Sequence, residues 1–275
     1  MFGKKVKIGI AFGGGGTRGF SHLGAIKAFE EFGLKFDFVA GTSAGSLAGA
    51  FYAAGYSYKE MYNVIKDLKE KDIRRNIIPF TPSKLDGLGE ILIKNLGDIN
   101  IEDLKIPFAA VAVDIKSTKE ICIAKGNLAK TVMGSCAVPG VFQPVVYEDM
   151  ILCDGGLQNT IPADIPKYFG CDYVISVDVN KSRTYGTDST KFVDVLSCAI
   201  RILMKSNAVR GYVNSDLIIA PETKRFKSTK TEGMEEMIEE GYKATIDLMP
   251  QIMEIFGRKK KSKRKFDTED IKFLR

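Results

Sequence analysis

Short apolar runs alternate along this chain with longer stretches whose apolar positions recur every three or four residues. The runs at 6–12, 36–40, 108–114 and 173–179 have strand length and little polar content, the pattern of strands buried on both faces of a sheet. Shorter runs at 120–124, 151–153 and 217–220 add three more strands, the first pairing with 108–114 as a hairpin around 116–118. Helical spacing predicts helices over 20–32, 46–54, 88–96, 128–136, 192–207 and 234–256, the last kinked ahead of Pro250. Ser57 and Glu60 have capping-box spacing and predict a further helix through 69. Between 71 and 86 the pattern dissolves into charges, prolines and a turn, which reads as a surface excursion or lid.

Strands separated by helices in this way predict an α/β fold, with a central, mainly parallel sheet sandwiched by helices. Sites in such sheets form beyond the carboxyl ends of the strands. A length of 275 residues fits one large domain, expected over 1–257, followed by a tail over 258–275. The 45% apolar content suffices for a full core, and no run approaches the roughly 20 apolar residues that span a bilayer. The apolar start breaks at once into four glycines, so it reads as the first strand and not as a leader.

Charge and cysteine usage narrow the classes. The net charge of +6 is concentrated in RKKKSKRK, which opens on Arg258 and ends at Lys265, and the remaining chain is near neutral. That distribution argues against a nucleic-acid-binding domain and for a basic tail on an ordinary globular one. Five scattered cysteines without a C-x-x-C pair, and one histidine, argue against a metal site and for a reducing, cytoplasmic compartment.

Three glycine-containing motifs fall just after predicted strands. Gly41-Thr42-Ser43-Ala44-Gly45 fits the G-x-S-x-G elbow, in which a serine is exposed on a tight strand-to-helix turn. A serine capping a buried helix is the ordinary alternative. GGGGTRG at 13–19 turns several backbone N–H groups toward one point at a helix start, where either a phosphate or the oxyanion of an acyl intermediate could sit. A dinucleotide site needs an acidic residue ending the second strand. Asp37 stands at the start of that strand, whose end is occupied by GTSAG, so the oxyanion reading is preferred. Asp154, followed by Gly155 and Gly156, is the better candidate base. His22 precedes the serine, whereas α/β-hydrolases place their histidine last. Taken alone, Asp154 reads better as a turn aspartate, common in D-G pairs.

In this order and spacing the motifs resemble those of the patatin-like phospholipase family, closest to its compact bacterial members. The resemblance rests on Gly14–Gly19, Gly41–Gly45 and Asp154–Gly156, extends to SCAVPGVF at 135–142 and to 159–162, and covers about 6–180. It implies a serine lipid acyl hydrolase of the phospholipase A or lysophospholipase kind, working without metal or organic cofactor. Ser43 would be the nucleophile, Asp154 the base, and Gly14, Gly15 and Gly16 the oxyanion-hole donors. Gly19, Gly41, Gly45, Gly155 and Gly156 would support them. Arg18 matches the family's basic position; holding the glycine loop, favouring an anionic headgroup and simple solvation are equally open to it.

Two rivals follow. An acyltransferase would pass the same acyl-Ser43 to a lipid alcohol instead of water. A noncatalytic lipid-binding regulator would tolerate loss of Ser43 and Asp154. Partners are expected to be lipid or acyl-ester substrate, with peripheral contact to the inner membrane face through the 258–265 tail and no nucleic acid.

Overall fold

The computed structural model describes residues 6–67, 70–73, 82–181, 186–227 and 230–260. Among these residues eight strands form one sheet: β1 (Ile8–Phe12), β2 (Phe38–Thr42), β3 (Phe108–Asp114), β4 (Lys119–Ile123), β5 (Val145–Tyr147), β6 (Met150–Asp154), β7 (Tyr173–Val177) and β8 (Leu217–Ile219). Their order is β5-β6-β3-β2-β1-β7-β8, with β4 also paired to β3. The pairs β3–β2, β2–β1, β1–β7 and β7–β8 are parallel, while β4, β5 and β6 form an antiparallel edge. The sheet is therefore mainly parallel, as expected.

Eleven helices cover the described residues: α1 (Phe20–Glu31), α2 (Ala44–Ala53), α3 (Tyr58–Ile65), α4 (Glu70–Ile73), α5 (Asp86–Leu96), α6 (Leu128–Ser135), α7 (Asp164–Tyr168), α8 (Phe192–Ser206), α9 (Ala208–Asn214), α10 (Met234–Asp247) and α11 (Met249–Lys260). The two-residue period of the strands decides which face they serve. Ile8, Ile10 and Phe12 of β1 point into the larger core with α1, α2, α5 and α6, whereas Ala11 points into a smaller one with Ile165 of α7 and Ala208 of α9. Small residues on that second face let α7 lie close: a methyl on Gly9 would meet Pro166 Cβ at 2.4 Å. The helices α1 and α10 approach as tightly at Gly24 and Gly241, where added methyls would meet the carbonyls of Ile238 and Ser21 at 1.9 Å.

Some boundaries move. The predicted final helix is two, α10 and α11, broken at Leu248, and Pro250 sits in the first turn of α11, where its missing N–H costs nothing. The Ser57–Glu60 capping box is present, but α3 ends at Ile65 and not at 69. Of the predicted excursion, 74–81 lies outside the described residues; its flanks, Ile73 and Leu85, face the cavity described below. Helix α11 runs past 257 to Lys260, and Arg258 donates to Tyr173 Oη at 2.9 Å and Glu254 Oε1 at 2.8 Å. The rest of the basic run, from 261, lies outside the described residues. All five cysteines are free thiols. No helix among the described residues is long and apolar enough to cross a membrane.

Candidate active site

The parallel pairing brings the ends of β1 and β2 side by side, so the glycine loop and the serine turn leave the sheet together. Gly45 lies against the Phe12 carbonyl, which a methyl would meet at 2.0 Å, and Gly41 lies under the Gly45 carbonyl at 2.4 Å. Only glycine permits this close crossing of turn and strand. Ser43 takes up the strain. Its backbone sits at φ 54, ψ −126, a region that costs a side-chain-bearing residue about 1–3 kcal/mol. The first turn of α2 holds it there: Ser46 N–H and Ser46 Oγ both donate to the Ser43 carbonyl, at 2.8 and 2.7 Å.

Asp154 arrives from the other side of β3. Thr42 pairs with Val111, and Asp154 with Ala112, so Ser43 and Asp154 stand level, two strands apart. That is about 9–10 Å between backbones, a gap two inward-facing side chains can bridge. Asp154 is fully buried; its Oδ1 accepts from the Gly156 N–H at 2.8 Å, and its Oδ2 has no well-aligned hydrogen bond. Burial raises its pKa from 3.8 to about 6, opposed by the Ser43 hydroxyl and the Gly156 N–H. The Ser43 hydroxyl thus acts on the carboxylate without a well-aligned hydrogen bond, a common state of such pairs before a substrate binds. Gly155 packs on the Val111 carbonyl, which an added methyl would meet at 2.2 Å.

The glycine loop is tied down from several sides. Gly13 N–H donates to the Val177 carbonyl and Gly14 N–H to the Thr160 carbonyl, both at 2.9 Å. Gly14 therefore differs from its expected role: its N–H is spent on the fold, although its Cα lies against Ser43, whose Cβ a methyl would meet at 3.3 Å. The N–H groups of Gly15 and Gly16 have no acceptor among the described residues. Gly16 has φ 60, whereas Gly15 is extended at φ 179 and is hemmed in by Val179, 2.3 Å from an added methyl. Gly19 abuts Ala44 beside the serine, and Arg18 is buried against the cavity wall.

His22 braces the glycine loop from within the core. Its Nε2 donates to the Gly13 carbonyl at 2.8 Å, its ring meets Phe12 edge-on, and burial lowers its pKa to about 4. It does not line the cavity.

Four residues to which the sequence assigns no role complete the site. Ser135 Oγ accepts the Ser43 N–H at 2.9 Å and donates to the Val111 carbonyl at 2.6 Å. The Asn159 carbonyl accepts from the Thr42 hydroxyl at 2.8 Å, next to the Thr160 carbonyl that holds Gly14. Asn180 Nδ2 donates to the Gly14 carbonyl at 2.6 Å. In the sequence, 135–142 and 159–162 stand out by resemblance alone; their contribution is to brace the serine turn and the glycine loop.

Ser43, Asp154 and the glycine loop share one cavity of about 450 Å³. Leu47, Phe51, Met61, Leu88 and Phe142 form an apolar stretch of its wall.

The architecture is that of a mainly parallel α/β sheet bearing a strained serine elbow opposite a buried carboxylate. The chain belongs to the patatin-like phospholipase family, whose model matches residues 10–167. It is 30% identical over 204 residues to lysophospholipase nte1 of Aspergillus fumigatus, covering 69% of this chain and 13% of that protein. It is 32% identical over 185 residues to an NTE family protein of Mycobacterium bovis, covering 64% of this chain and 50% of that one. The chain thus spans half or less of the length of these relatives. VipD from Legionella pneumophila shares the fold at a TM-score of 0.61 and 15% identity, covering 90% of this chain and 67% of that one.

Proposed function

We propose that this protein is a serine lipid acyl hydrolase of the phospholipase A or lysophospholipase kind, with Ser43 as nucleophile and Asp154 as its base. The observation that carries this reading is the pairing of a strained serine with a buried carboxylate whose pKa of about 6 suits a base at neutral pH. Asp154 takes the Ser43 proton as Oγ adds to the ester carbonyl. The proton then passes to the departing alcohol, leaving acyl-Ser43. Water, deprotonated by Asp154, attacks the acyl carbonyl; the C–Oγ bond breaks and the proton returns to Ser43, releasing the fatty acid. Each step passes through a tetrahedral oxyanion, which the free N–H groups of Gly15 and Gly16 are suited to hold.

The apolar cavity wall supports an acyl chain as the part of the substrate it receives. The names of the relatives support a lysophospholipid or phospholipid ester. The free thiols support a reducing compartment, and the basic run from 258 would add attraction to an anionic lipid surface. The test is to incubate the purified chain with phosphatidylcholine and lysophosphatidylcholine and identify products by mass spectrometry. Free fatty acid from the wild type and none from Ser43→Ala is expected. Acyl transfer to a lipid alcohol in place of fatty acid release would replace the hydrolase reading with a transferase one.

A further inference from the structure

Helix α8 is built inside out for a helix on the surface of a water-soluble protein. Such a helix normally turns its apolar stripe to the core and its charges to solvent. Here Ser197, Ile200, Arg201, Met204 and Lys205, three or four residues apart, line the cavity. The opposite side carries Phe192, Val195, Leu196, Ala199, Ile202 and Leu203 at the same spacing, all exposed. The exposure is large: Phe192 is 78% accessible and Leu203 62%. Helix α9 extends it with Val209 and Val213, the latter 80% accessible. Of the thirteen large apolar side chains exposed among the described residues, seven fall on these two consecutive helices. A concentration of that kind marks an interaction surface and not ordinary surface scatter.

We propose that the outward face of α8 and α9 docks the protein on a lipid bilayer, bringing the cavity that α8 helps to wall next to the membrane. The proposal rests on the lipid acyl hydrolase reading for its choice of partner, and three features favour a bilayer. An interfacial helix lies in the headgroup plane with its apolar face buried about 5–10 Å and basic residues at its flanks. The charges of α8 fit that position: Arg201 and Lys205 sit on the cavity side, Lys191 stands at its start, and Asp194 is the one acidic residue among its fifteen. The same helix forms part of the wall of the cavity that holds Ser43, so docking by its outward face would set that cavity beside the leaflet that supplies the lipid. A surface for a second protein copy would have no need to border the cavity.

The test uses the full chain carrying Leu196→Ser, Leu203→Ser and Val213→Ser together, residues outside the cavity wall. Flotation with vesicles of phosphatidylcholine and phosphatidylglycerol is done on these changes in both wild-type and Ser43→Ala backgrounds. Vesicle-bound protein should fall at least ~10-fold, with an unchanged circular dichroism spectrum and unchanged turnover of a water-soluble short-chain ester. Equal flotation of the altered and unaltered proteins would overturn the proposal. So would light scattering that shows a dimer dissolved by the three substitutions, since the face would then belong to a second copy. Because flotation is measured without turnover, a patch-dependent result with no hydrolysis would leave the docking surface standing and remove the hydrolase reading instead.

Discussion

The Ser43 N–H donates to the Ser135 hydroxyl at 2.9 Å, which in turn donates to the Val111 carbonyl at 2.6 Å. The end of α6, the serine elbow and the middle of β3 are therefore joined through one buried oxygen. A backbone held at φ 54 persists only where its surroundings over-determine it, and this bond is part of that constraint.

Ser135→Ala removes the acceptor and leaves a buried N–H unsatisfied, at a cost of about 1–3 kcal/mol. We expect a lower melting temperature and a fall in kcat of roughly 10-fold with little change in KM, because the elbow relaxes while the acyl cavity is untouched. A raised KM at normal kcat would mean that Ser135 serves substrate binding.

Asp154 makes function and stability oppose each other. Its folded pKa is raised from 3.8 to about 6, so between these values the folded state holds a proton that the unfolded state has lost. Stability therefore falls as pH rises from about 4 to 6 and stays lowered above, by an amount on the order of 3 kcal/mol. Asp154→Asn should raise the melting temperature at pH 7.5 but not at pH 4, while lowering kcat by ~10² or more. Equal melting shifts at both pH values would show that the carboxylate is not desolvated as described.

His22 has the opposite sign. Its folded pKa is lowered to about 4 from 6.5, so its contribution is intact above 6.5 and is lost as pH falls toward 4. His22→Ala should therefore reduce the acid sensitivity of unfolding between those values. It should leave kcat at pH 7.5 within about 10-fold of wild type, since the histidine braces Gly13 and faces no reacting atom. A loss matching that of Asp154→Asn would place the histidine in the catalytic group.

Gly15→Ala tests the oxyanion donors. The added methyl would stand 2.3 Å from Val179 Cγ2, so either the loop or the Val179 side chain must give way. Loss of an oxyanion donor costs roughly 10²–10³ in kcat and little in KM. Normal kcat with raised KM would move the loop to the lipid headgroup. Because Gly14 already gives its N–H to Thr160, its substitution should act through displacement of Ser43 and Thr42 instead.

Long apolar runs and glycine turns made most of the frame legible. The strand of 108–114 is found as read, because every residue of β3 is buried and a uniform apolar run has no other use there. The second strand lies two residues later than expected: Phe36 leaves the sheet to pack between Phe29 and Phe256, and Asp37 accepts the Ile8 N–H at 2.8 Å. Strand β5 escaped notice because it has three residues and an exposed Val146, and α7 because Pro166 interrupts its pattern from inside the first turn. At the site the reactive groups carry local signatures and their supports do not. Ser135, Thr160 and Asn180 act through single hydrogen bonds to residues far along the chain, which no local spacing encodes.

The claim that a Ser43–Asp154 pair performs acyl transfer is tested most directly by a fluorophosphonate probe followed by intact-protein and peptide mass spectrometry. Attack by the activated hydroxyl forms an Oγ–P bond and expels fluoride, so one adduct per chain should appear, on Ser43. Its rate should climb between pH 5 and 8 with a midpoint near 6, the Asp154 carboxylate being the base. Ser43→Ala should take no label, and Asp154→Asn should label slowly at every pH. An adduct on another residue, or labelling that persists in Ser43→Ala, would contradict the account.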